Sequence, residues 1–216
     1  MKFRATTIPP ERRWKIFLTG FLIFNLGYFG VQSLQLMRPM IVLPSSIDRL
    51  IPFIPWTIWI YISQIPLILS TAWLIKTPQL ITKTYYRLAV ASLISFLIFI
   101  LIPTRIPREM HIEGYLNRLL FSLLYASDAD SNCFPSLHVS LAILAFNGIR
   151  QSIQRNVAFY WGWSTLILIS TLTTKQHYCI DVVGGIAIVV ASHWFVDLFW
   201  EFAPLPESGD NTTKVE

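Results

Sequence analysis

Long apolar runs, most of them near bilayer length, recur along this chain and constrain its fold more than any other feature. A membrane-spanning helix needs about 20 mostly apolar residues. Candidate runs are Trp14–Leu34, Phe53–Ile75, Tyr86–Ile102, Pro135–Ile149, Val157–Thr173 and Tyr178–Phe202. The fourth is short, and the sixth is long and carries Asp181, His193 and Asp197 in or near it. Pro66 predicts a kink in the second. Of 216 residues, 54% are hydrophobic and 13% charged, against about 25% charged in soluble domains. A water-soluble fold of this size needs more polar surface than that. The pattern predicts an all-α, polytopic membrane protein: a six-transmembrane-helix bundle, with one membrane-embedded domain over 1–203 and a polar, disordered tail over 204–216. The N-terminal run has a basic flank (Arg4, Arg12, Arg13, Lys15), but it is longer than a signal core and lacks a small-x-small cleavage site, so it reads as a retained helix.

The net charge of +5 comes from Lys and Arg lying mostly beside the apolar runs. That placement fits lipid head groups and topology control, and no basic stripe interleaved with exposed aromatics points to nucleic acid. With six spans, Lys and Arg divide eleven to six between the two sides. The richer side holds both termini and reads as cytoplasmic. The loops after the first, third and fifth spans then face the periplasm, cell exterior or lumen. The Asn211–Thr213 glycosylation pattern falls on the cytoplasmic tail and carries no meaning there. In the longest outside loop, 103–134, Leu116, Leu119, Leu120, Leu123 and Leu124 recur at helical spacing, which predicts a short interfacial amphipathic helix.

Two clusters of polar residues fall on that outer face. One is Asn132-Cys133-Phe134-Pro135-Ser136-Leu137-His138, at the start of the fourth span; the other is Ser170 to Asp181, between the fifth and sixth. His177 and Asp181 are four residues apart, on one face of a helix. A carboxylate on one imidazole nitrogen fixes the tautomer and frees the other nitrogen to attack. A buried pair that merely ties helices together is the competing reading. Pro135 suits a first helical turn, whose free N–H groups and the Ser136 hydroxyl make an anion site. His138, in the same turn, is placed to protonate a leaving oxygen. Together these residues form a metal-free kit for phosphoester cleavage through a phosphohistidine. Lys175, Arg108 and Arg105 are the nearby outside cations, each also readable as a solvated charge. No C-x-x-C or His-rich pair suggests a metal, and no cofactor is expected. Cys133 and Cys179 read as two small apolar residues, with a single disulfide as the alternative. His193 and Asp197 read as a packing or snorkelling pair, and Gly184 and Gly185 as residues that permit close helix contact.

P-S-L-H at 135–138 and H-Y-C-I-D at 177–181 resemble the second and third motifs of the type 2 phosphatidic acid phosphatase superfamily, and F-P-S-L-H-V-S with S-T-L-T-T-K-Q-H-Y is most similar to its inositolphosphotransferase-like branch. The resemblance covers roughly 100–190. It implies a six-helix enzyme with His177 as nucleophile, Asp181 orienting it, His138 protonating the leaving group, and Ser136 with backbone amides holding phosphate. Two departures stand out. The first motif, K-x6-R-P, is absent, with P-T-R-I-P-R at 103–108 in a comparable place. The third motif's S-R is Ser170-Thr171, so an arginine is missing and Lys175 is the candidate replacement. The implied substrate is a lipid phosphate, hydrolysed by water or passed to a lipid alcohol such as ceramide or diacylglycerol. A transporter-like or structural membrane protein is the remoter alternative. Lipid substrate and membrane lipids are the expected partners, and nucleic acid is not.

Overall fold

The computed structural model describes residues 2–35 and 37–203; the expected tail at 204–216 lies outside them. The elements in chain order are β1 (Phe3–Ala5), α1 (Arg13–Gln35), α2 (Ile58–Ile62), α3 (Gln64–Leu74), α4 (Pro78–Leu101), α5 (Tyr115–Ser127), α6 (Leu137–Arg150), α7 (Val157–Thr173), α8 (Cys179–Phe199) and β2 (Trp200–Phe202). Among the described residues, four helical stretches are long and apolar enough to cross a membrane: Pro10–Gln35, Pro55–Leu74, Pro78–Leu101 and Cys179–Phe199. The chain is an integral membrane protein. Helices α6 and α7 are shorter, 14 and 17 residues.

The short α6 lies at the centre. It contributes Ala142, Ala145 and Ile149 to a cluster with Leu67 of α3 and Ile167 of α7. Leu137 and Leu141 join Val31 of α1 and Phe99 of α4, and Leu144 joins Ala91 of α4 with Ile188 and Val189 of α8. A helix buried on nearly every face needs apolar residues all round rather than one stripe, and α6 has them.

The kink expected from Pro66 appears as a break, and two helix ends differ from the sequence reading. The second run is broken at Ser63, one turn before Pro66. Proline lacks an N–H and its ring crowds the carbonyl four residues back, that of Ile62. Helix α4 begins at Pro78 rather than Tyr86, because proline is at home in a first turn and the charges that suggested a loop are neutralised within the fold. Lys83 Nζ and Arg87 Nη2 lie 2.9 and 3.0 Å from Asp197 Oδ1 on α8. Asp197 thus bridges helices through these cations, while His193 Nδ1 meets the Val189 carbonyl at 2.9 Å. At the far end, residues 200–202 leave the helix and pair in parallel with residues 3–5, in register Phe3↔Trp200, Arg4↔Glu201 and Ala5↔Phe202. The first and last described elements therefore meet at one end of the bundle. Helix α5, at the leucine-rich segment, packs Phe121 against Ile58 and Tyr61 of α2 and leaves Leu116, Leu119 and Leu123 exposed.

Candidate active site

The segment before α6 is pinned by backbone and side-chain bonds. Arg105 and Ser131 form an isolated antiparallel bridge, and the Phe134 N–H donates to Thr104 Oγ1 at 2.9 Å. Pro135 falls outside the helix rather than in its first turn. Ser136 is the N-cap, fully buried, and its hydroxyl accepts from the Val139 N–H at 3.3 Å. A cap residue keeps extended backbone while its side chain satisfies a free helical N–H. The Ser136 N–H itself donates to the Asp181 carbonyl at 3.0 Å, so the two clusters are joined backbone to backbone.

The second cluster folds as a tight turn. Lys175 has φ 56°, in the left-handed region, and the N–H groups of Gln176 and His177 both donate to the Thr171 carbonyl at 3.1 Å. Helix α8 starts at Cys179, so His177 precedes it and Asp181 sits in its first turn. Asp181 Oδ2 accepts from the Tyr178 N–H at 2.8 Å and lies 3.4 Å from His177 Nδ1. Both residues are buried, and Asp181 Oδ1 has no hydrogen-bond partner. At this distance the two groups approach as a pair without a hydrogen bond, and His177 Nδ1, like Asp181 Oδ1, has no hydrogen-bond partner among the described residues. The approach is to Nδ1 and not to Nε2. The His138 ring lies 5.8 Å from that of His177. It stacks on Tyr61 at 4.2 Å, with Nδ1 3.3 Å from the Tyr61 hydroxyl, and its carbonyl accepts from Gln64 Nε2 at 3.1 Å.

A cavity of about 350 Å³ opens onto both imidazoles, and its polar lining includes Tyr28, Tyr61, Gln64, Arg108 and Asp128. Among the expected cations, Arg108 reaches it. Its guanidinium lies 4.4 Å over the Tyr125 ring and donates to the carbonyls of Tyr125, at 2.8 Å, and Asp128. Lys175 points elsewhere: its ammonium donates to the carbonyls of Asp48 and Ile51 at 3.0 and 2.5 Å. The exposed Arg105, the buried Ser170, whose hydroxyl donates to the Ile167 carbonyl at 2.7 Å, and the fully buried Ser136, whose hydroxyl caps α6, do not line the cavity. Cys133 and Cys179 are both free.

A family model described as the PAP2 superfamily matches residues 52–195. The chain belongs to the PAP2 superfamily. No curated protein and no solved structure matches it. PAP2 membership makes the chain a membrane enzyme of the phosphatase or phosphotransferase type, and the two imidazoles, Asp181 and the Ser136 cap all lie inside the matched segment.

Several lining groups of this PAP2 cavity are absent from the two motifs. Tyr61 and Gln64 come from the broken second run, and Tyr28 from α1, ahead of the matched segment. Asp128 sits at the end of α5, its Oδ1 accepting from the Tyr28 hydroxyl at 2.9 Å. With its amide oxygen turned to the Ala129 N–H at 2.7 Å, Gln32 donates to the same Asp128 oxygen at 3.2 Å. The only signal available was Asp128's place in the long loop ahead of P-S-L-H. A second carboxylate works structurally. Asp48 accepts from the Ser45 N–H and hydroxyl at 2.7 and 2.6 Å and from the Cys179 N–H at 2.7 Å. It thereby ties the 45–51 loop to the start of α8. Burial works to raise its pKa, but these donors outweigh it and hold the carboxyl below its ordinary value.

Burial pushes the Asp128 pKa up to about 6, against the pull of Tyr28, Arg108 and His177. Between the unfolded value, about 3.9, and 6, the folded state holds more protons than the unfolded one, so stability falls as pH rises through this window. The penalty is complete above it. Asp128→Asn keeps an acceptor for Tyr28 and removes the charge. Thermal unfolding followed against pH is expected to show the variant more stable than the native protein above pH ~7, by up to about 3 kcal/mol, with the gain gone below pH ~4.

Proposed function

We propose that this PAP2 protein is a metal-independent lipid phosphate phosphatase that works through a phosphohistidine on His177. The observation that carries the reading is the approach of the His138 and His177 rings to 5.8 Å on one cavity, with Asp181 behind the second ring and Arg108 at the cavity wall. His177 Nε2 attacks phosphorus and the bond to the leaving oxygen breaks. His138 gives that oxygen its proton, then takes one from the water that cleaves the P–N bond. Asp181 holds the Nδ1 proton and stabilises the charge that develops on the ring. Arg108 and the free amides at the start of α6, next to Ser136, balance the phosphoryl oxygens. Lys175 serves indirectly, by fixing the 48–51 loop against the third motif; Arg105 and Ser170 keep structural roles.

The membrane arrangement belongs to the same proposal. Helices α6 and α7 complete six spans, α5 lies in the interface, and the cavity faces the non-cytoplasmic side while both termini are cytoplasmic. The β1–β2 pairing, which brings the two ends together, supports an even number of spans, and the Lys and Arg split supports the orientation.

A second reading keeps the intermediate and changes the acceptor: a lipid phosphotransferase of the inositolphosphotransferase-like branch, passing a head-group phosphate to ceramide or diacylglycerol. The cavity's extra polar groups, Asp128, Tyr28 and Gln64, favour a head group richer in hydroxyls than phosphate alone. Radiolabelled lipid phosphates offered to the purified protein in vesicles separate the two. Label in inorganic phosphate is expected for the phosphatase. Label in a new lipid supports transfer, and label remaining in the substrate across the panel contradicts both.

A further inference from the structure

The cavity does not end at the imidazoles. It continues as an apolar groove between α1 and α3, with Leu18, Phe21 and Phe24 on one wall and Ile65, Ile68 and Leu69 on the other. These positions recur at helical spacing, so each wall is one helix face. From Tyr28, beside the polar end, to Phe17, at the far end, α1 advances about 16 Å at 1.5 Å per residue. That is about half of a bilayer's ~30 Å hydrocarbon core, the depth one acyl chain occupies.

The packing of α1 explains why the groove exists. Gly27 faces α4, where an added Cβ would come within 2.8 Å of Phe96 Cε2, and the Phe24 ring lies tilted 5.7 Å from the same ring. Helix α1 is thereby held against α4 along this edge, and the groove remains on the side toward α3. Asn25, the polar residue midway, donates its amide to the Phe21 carbonyl at 2.7 Å, so its hydrogen-bonding demand is met on its own helix. Leu18 and Ile65 on opposite walls are 57% and 55% exposed, which leaves the groove open sideways, toward lipid in a membrane.

We infer that the α1–α3 groove holds one acyl chain of the lipid whose phosphate sits at His138 and His177, and that Leu18 and Phe21 set the chain length accepted. This rests on the lipid-phosphate reading above. The occupant follows from continuity: a tail anchored by its head group at the polar end can run only down this channel or out into the bilayer. Helix α1 lies outside the family-matched segment, so the tail site is supplied by a part of the chain distinct from the one that carries the chemistry.

The test uses the full chain in vesicles with a phosphatidic acid bearing a diazirine at the end of one palmitoyl chain. Cross-links are expected on residues 17–21 and 65–69, suppressed by unlabelled phosphatidic acid and not by phosphatidylcholine. Cross-links as frequent on Ile23 and Leu26, exposed on the opposite side of α1, or equal suppression by phosphatidylcholine, would overturn the inference. In parallel, Leu18→Trp is expected to lower the ratio of dipalmitoyl to dioctanoyl turnover about tenfold, the effect of displacing two buried methylenes, while Ile23→Trp leaves it unchanged. An unchanged ratio in Leu18→Trp with native dioctanoyl turnover would also overturn it. The two readings fail separately: groove cross-links without turnover of any lipid phosphate refute the phosphatase and keep the groove, and turnover with scattered cross-links does the reverse.

Discussion

Replacing His177 by alanine is expected to reduce lipid-phosphate turnover by at least about 10⁴-fold, because removing a nucleophile removes the covalent route itself. The fold is expected to survive. The His177 backbone N–H, bonded to the Thr171 carbonyl, is retained in the variant. Its imidazole contributes one loose contact to Asp181 at 3.4 Å and a tilted approach to His138. No helix bond is lost, since α8 starts two residues later. Unchanged expression and melting with turnover gone is the expected pair of measurements. A variant that melts early would instead mark His177 as a structural tie, the competing reading of a buried His–Asp pair. Asp181→Ala is a less discriminating probe, because Asp181 also accepts from the Tyr178 N–H and its loss weakens the start of α8 as well as the catalytic pair.

Gly185→Val is expected to cost at least about 100-fold in activity although it touches no substrate, since a misplacement of about 1 Å at a reacting group is enough for that. A Cβ on Gly185 would stand 2.7 Å from the Ser136 carbonyl oxygen and 2.8 Å from Val139 Cβ. Both belong to the first turn of α6, the turn that carries His138. Backbone cannot rotate out of the way as a side-chain end can, so α6 and α8 must separate. The separation pulls on the bond from Ser136 to the Asp181 carbonyl and moves the two imidazoles apart. Overpacking of this kind usually costs about 1–3 kcal/mol of stability, so the variant should fold but work poorly. Gly184→Ala meets Phe134 Cε2 at 2.6 Å, a side-chain edge that can yield, and is expected to be milder. Gly20→Ala, with nothing within 4 Å, is the control and should leave activity and melting unchanged.

Much of this was legible in the sequence, and the parts that were not share a cause. The apolar runs located the long helices because a bilayer demands length and little charge. The pairing of His177 with Asp181 was legible from their local spacing, and the place of His138 from the helix start beside it. The start of α4 was hidden because Lys83 and Arg87 read as loop charges; their neutralising partner, Asp197, is more than a hundred positions away. Which of the expected cations reaches the cavity was hidden for a similar reason. Arg105 and Arg108 stand three residues apart, and their partners in residues 125–131 decide which faces the cavity. Lys175 is adjacent to the motif, yet its left-handed backbone accompanies an ammonium aimed at the Asp48 and Ile51 carbonyls, contacts no local pattern encodes. Tyr61, Gln64 and Tyr28 reach the cavity from helices that carry no motif. The three-residue strands that are the first and last described elements are too short for any periodicity to mark.

The most direct measurement is to quench the reaction of a radiolabelled lipid phosphate at early times under alkaline conditions, where a phosphoramidate persists, and to map protein-bound label by peptide. The account requires label on the peptide containing His177, chased into product on further incubation and missing from His177→Ala. Steady turnover with no protein-bound label, or label that stays undiminished when His177 is replaced, would contradict it.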